Sequence, residues 1–114
     1  MRYLRTDTEI YDIDDLHVCE ELNGKPYATN DEGWVIYKES IVKEADTIEE
    51  LCDEFVIAYE SGARIVYGDL EWAETKAKSS LRIGNKSVIY GAIWTDKGLQ
   101  FVARLNDKGE LELL

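Results

Sequence analysis

The stretch Gly91–Leu114, GAIWTDKGLQFVARLNDKGELELL, decides the fold. It carries one polar phrase twice, Thr95-Asp96-Lys97-Gly98 and Asn106-Asp107-Lys108-Gly109, and a third copy, Asn30-Asp31-Glu32-Gly33, lies upstream. A calcium loop would alternate Asp or Asn ligands before its glycine and add a distal Glu, which none of the three does. Each phrase instead fits a hairpin loop in which a type I turn leads into a left-handed residue. Gly33, Gly98 and Gly109 stand where that residue is needed, because glycine takes positive φ without steric cost. Polar side chains earlier in the phrase suit the turn by bonding the backbone two residues on.

With these turns placed, the C-terminal third reads as a three-stranded meander. Its first strand, about 87–95, is rich in Val, Ile, Tyr and Trp and is expected to be central. In the second, Leu99, Phe101, Ala103 and Leu105 alternate with Gln100, Val102 and Arg104, which predicts one buried face. Leu111 and Leu113 repeat the rule against Glu110 and Glu112. Upstream, Asn23-Gly24 is a two-residue hairpin signal joining HVCEEL to KPYAT, with Pro26 pushing the second arm to a sheet edge. RYLRTDTEIYDI reads as two short strands around Thr6-Asp7-Thr8, and GWVIYKESIV as another.

Helices are expected at two places. Thr47-Ile48-Glu49-Glu50 has the form of a capping box. Ile48, Leu51, Cys52, Phe55 and Val56 then follow at helical spacing, predicting the main helix over about 47–60 with Gly62 as its stop. After a strand at ARIVY, a shorter helix over about 70–80 is capped by Asp69. It turns Leu70, Ala73 and Ala77 inward and sets a Glu74–Lys78 pair outside. The predicted fold is a single α+β domain over 1–114: a mostly antiparallel sheet packed against the 47–60 helix.

Composition narrows the function classes. The chain has 114 residues, 45% apolar and 11% aromatic, enough to build a core without metals or disulfides. Its net charge of −11 is uneven: 1–60 hold 17 acidic against 5 basic side chains, and 61–114 hold 7 against 8. That balance argues against direct nucleic-acid binding, which uses a basic footprint. No apolar run reaches the roughly 20 residues of a membrane span, and the first residues lack a signal-type apolar region. Cys19 and Cys52 form no paired motif and read as thiols of a reducing cytoplasm.

RYLRTDTEIYD, KEADTIEELCDEF and YGAIWTDKGLQFVARLNDKGELELL resemble three blocks of small prophage-encoded proteins of Gram-positive bacteria. Those proteins join similar blocks around a variable middle, here about 63–86. The resemblance implies a cytoplasmic, phage-derived accessory protein. The family has no assigned activity, so the resemblance transfers no catalytic or binding residue.

Side-chain chemistry offers few alternatives. His17, Cys19 and Cys52 would together make a zinc-like ligand set, but Cys52 stands inside an apolar stripe where a core thiol is expected. The neighbouring pairs Asp14-Asp15 and Glu20-Glu21 would point to opposite faces of a strand. No phosphate-binding glycine loop or nucleophile motif is present, so no cofactor is expected and a small enzyme with an unrecognised carboxylate site ranks third. The first reading is a non-catalytic protein acting through contact with a protein partner or with itself through a free sheet edge at Leu111–Leu114. Trp34 and Trp94, each beside a turn phrase, are candidate anchors. The second reading is a DNA mimic that blocks a host nucleic-acid enzyme, with Glu20, Glu21, Asp46, Glu49, Glu50, Asp53 and Glu54 as its anionic array.

Overall fold

A computed structural model describes residues 2–18, 27–30, 32–33 and 35–114, with the backbone alone at 18 and 27. The class is α+β: antiparallel sheets and, among the described residues, one α-helix packed against a five-stranded sheet. By its contacts the chain gathers into two compact units, 1–51 and 52–114.

The first unit contains short strands β1 (Tyr3–Arg5), β2 (Ile10–Asp12), β3 (His17–Val18), β4 (Tyr27–Thr29), β5 (Val35–Tyr37) and β6 (Lys43–Ala45). They form two three-stranded sheets, ordered β2-β1-β6 and β3-β4-β5. The β1–β2 turn closes without glycine because the Thr6 hydroxyl accepts from the amides of Thr8 and Glu9, at 3.4 and 3.2 Å. The expected hairpin between HVCEEL and KPYAT pairs His17 with Thr29 and Val18 with Ala28, while Asn23-Gly24 itself lies outside the described residues. Its second arm, β4, is the middle strand rather than an edge. Pro26 itself lies outside the described residues. Asp14 and Asp15 sit in a single 3₁₀ turn, capped where the Asp12 carboxylate accepts the Asp14 amide at 3.0 Å, instead of on a strand. Burial, then the neighbouring Glu9 carboxylate, pushes the Tyr11 hydroxyl up to about 12.

The largest departure from the sequence reading is at 47–60. The capping box forms: the Glu50 carboxylate accepts the Thr47 amide at 3.2 Å, and the Thr47 hydroxyl accepts the Glu50 amide at 3.4 Å. It caps only one 3₁₀ turn, Glu49–Leu51, whose Leu51 carbonyl receives the Arg5 guanidinium at 3.0 Å. The chain then runs straight as β7 (Glu54–Tyr59). The reason lies in a residue the helical stripe leaves out. On a helix Ile57 would face solvent, whereas the run Phe55-Val56-Ile57 suits a strand buried on both faces. All three are buried, with Ile57 at 0% exposure.

The second unit is a sheet ordered β11-β10-β9-β7-β8, with β8 at Arg64–Tyr67, β9 at Ser87–Thr95, β10 at Gly98–Leu105 and β11 at Leu111–Leu113. Helix α1 (Leu70–Leu81) starts at Asp69, whose carboxylate accepts the Glu71 amide at 3.2 Å. It takes the covering role expected of 47–60, setting Leu70 and Ala73 against Phe55, Ile57 and Ile89, with Ala77 at the margin. The Glu74–Lys78 ion pair does not form.

The three turn phrases share one device. The first side chain of each, Asn30, Thr95 or Asn106, accepts from the amide two residues on, at 3.1, 3.1 and 2.9 Å. Gly33, Gly98 and Gly109 have φ of 85°, 97° and 79°. Gly98→Val is therefore expected to destabilise by about 1–2 kcal/mol from left-handed strain alone. Urea unfolding checks this, and an unchanged midpoint would contradict the turn geometry.

The meander differs from its sequence reading at one point. Phe101 pairs with Ala92 and Ala103 with Gly91, so Val102 is an inserted bulge residue. The apolar set Leu99, Phe101, Ala103, Leu105 is thereby split. Ala103 and Leu105 face α1, while Leu99 and Phe101 face the other way.

Candidate partner-binding site

Strand β9 runs past the start of β7. Glu54 pairs with Ala92, which leaves the next inward amide, that of Trp94, without a ladder acceptor. Asp53 completes the ladder: its amide donates to the Ala92 carbonyl at 2.9 Å, and its carboxylate accepts the Trp94 amide at 2.8 Å. On its other side Trp94 pairs with Leu99 across the hairpin closed by Thr95–Gly98. The backbone of Trp94 is thus held from both sides while its residue remains 55% exposed.

Alternation places the Trp94 side chain on the sheet face opposite α1, with Tyr90, Ala92 and Glu54. Across the hairpin on that face, Phe101 stacks on Tyr90 with ring centroids 4.6 Å apart and planes 9° apart. The Arg64 guanidinium lies 5.3 Å from the Phe101 centroid. That face carries the stacked Tyr90–Phe101 pair and, beyond Ala92, the exposed Trp94, whose amide is held by the Asp53 carboxylate.

Of the residues singled out in the sequence, the structure brings together Asp53, Glu54 and Trp94. Asp46, Glu49 and Glu50 belong to the first unit, while Glu20, Glu21 and Trp34 lie outside the described residues. The continuous acidic helix face does not exist: Glu49 and Glu50 sit on a 3₁₀ turn, and Asp53 and Glu54 lead into a strand. Two of these carboxylates also serve the backbone, Glu50 at Thr47 and Asp53 at Trp94. Cys19 of the zinc-like set is outside the described residues, and Cys52 packs on Gly91. Among the described residues no group of three His, Cys, Asp or Glu is placed to hold a metal.

Sequence reasoning passed over Trp72, which is 55% exposed with the Lys76 ammonium 5.4 Å from its ring centroid. Its position off the Leu70–Ala73–Ala77 stripe was the available signal. A groove of about 320 Å³ also opens beside α1, floored by Ala77, Leu81, Ile89 and Leu105 with Lys78 and Lys86 at its rim. Among the described residues no helix is long and apolar enough to cross a membrane. No family model, curated protein or solved structure matches the chain.

Proposed function

We propose that the chain is a non-catalytic accessory protein that works by protein–protein contact, with Trp94 as its anchor. The observation that carries this reading is an exposed indole on a backbone fixed by Asp53 and by the β9–β10 hairpin. An aromatic anchor that is ordered before binding loses little entropy when it enters a partner pocket. The resemblance of three sequence blocks to prophage proteins supports, as part of this reading, a setting in the cytoplasm of a Gram-positive host. The mimic reading retains the net charge but loses the regular array it needed.

A tagged pull-down from Gram-positive lysate at low and high salt, with wild type and Trp94→Ser side by side, tests the proposal. Anchoring by Trp94 predicts capture that survives high salt and falls about 30-fold in Trp94→Ser, the loss of about 2 kcal/mol typical of a hot spot. Capture confined to low salt would favour the mimic, because exposed charge is screened. Equal capture by both proteins would remove Trp94 from the interface.

A further inference from the structure

We infer that the open edge of β8 is a self-association site, on which a second copy of this chain adds its own β8 antiparallel about a two-fold axis at Val66. Strand β8 is an edge of the five-stranded sheet and, among the described residues, pairs with β7 alone. Protein edges are commonly guarded by Lys, Pro or a bulge. Arg64-Ile65-Val66-Tyr67 contains no Lys or Pro, and its register with β7 is unbroken. Ile65 and Val66 are 43% and 49% exposed.

The hydrogen-bond phase of this edge is compatible with that register. The Tyr59 amide donates to the Ala63 carbonyl at 2.9 Å, which makes that a bonded pair. Alternation along the ladder then makes Ile57–Ile65 and Phe55–Tyr67 bonded pairs and turns the N–H and C=O of Arg64 and Val66 outward. A two-fold axis normal to the sheet keeps each face on its own side, so only residues of the same face can stand opposite one another. Centring on Val66 satisfies both conditions: Val66 meets the copy's Val66, Ile65 meets Tyr67, and Arg64 meets Gly68. The Ile–Tyr pairs are favourable cross-strand neighbours, and the strand's only charge meets a glycine rather than a second arginine. The opposite edge is less suited. Full-length self-pairing of β11 would centre on Glu112 and set two carboxylates face to face.

Sedimentation equilibrium over a concentration series tests this. The expected mass rises from 13.1 kDa towards twice that value. The association tightens with added salt, because two copies of charge −11 repel. Val66→Pro removes an outward N–H that β7 does not use, so it keeps the native circular dichroism and abolishes the dimer. Val66→Lys places like charges at the axis and weakens association at least about tenfold without needing proline to be tolerated. Val66→Cys forms a disulfide-linked dimer on mild oxidation, because bonded antiparallel partners stand about 5.5 Å apart, whereas Arg64→Cys does not. A wild type that stays monomeric to about 1 mM, or a dimer that survives both Val66→Pro and Val66→Lys, would overturn the inference.

Discussion

Phe55→Ala is expected to destabilise the fold by about 3–5 kcal/mol, and Ile57→Ala by about 2–5 kcal/mol. Phe55 is 3% exposed and Ile57 fully buried, and both join the cluster of Leu70, Ala73 and Ile89 beneath α1. Removing either side chain loses its transfer free energy and leaves a cavity that the sheet backbone cannot close. The Ile57 variant is the more discriminating, because a helix over 47–60 would turn this residue away from its buried stripe. Denaturant unfolding monitored by circular dichroism reads both as lowered midpoints at constant slope. A loss below about 1 kcal/mol at Ile57 would exclude a strand buried on both faces.

The second large effect is at Gly91, in the middle of β9. A Cβ there would stand 2.6 Å from the Cys52 sulfur and 3.4 Å from the Ala103 Cβ. Gly91→Ala is therefore expected to destabilise by about 1–3 kcal/mol through overpacking, although alanine is the better strand residue. Adding Cys52→Ala removes the sulfur and leaves the Cys52 Cβ at an ordinary 3.8 Å. The double variant should be less destabilised than the sum of the two singles, by about 0.5–3 kcal/mol of coupling. Strict additivity would mean that the two residues do not touch.

How much of this was legible differs from element to element for physical reasons. The meander could be read because its turns are specified locally: Asn106 supplies the acceptor for Lys108 and Glu110, and Gly109 supplies the positive φ. Helix α1 could be read from the Asp69 cap and the Leu70–Ala73–Ala77 spacing. The stretch 47–60 was misread because its local signal is real but short-ranged. The capping box closes a turn, and the pairing of β7 with both β8 and β9 then overrides any helical continuation. The Val102 bulge was illegible, since the apolar alternation continues unbroken through it. Trp94 was legible as a candidate from its place beside a turn phrase. Its support by Asp53 was not, because the two lie 41 residues apart in sequence and meet only once the sheet has formed.

Everything proposed for Trp94 and for the β8 edge depends on β7 being the strand between β8 and β9. The direct measurement is the NMR cross-peak between the Hα protons of Ile57 and Ile89. These residues pair in the register, and the bonded contact from the Glu60 amide to the Lys86 carbonyl at 2.9 Å makes theirs a close, non-bonded pair. A strong Hα–Hα cross-peak, with extended Cα shifts over 54–59, is the predicted result. Helical shifts over 54–59 with no Ile57–Ile89 cross-peak would contradict the sheet, and with it the placement of Asp53 under Trp94.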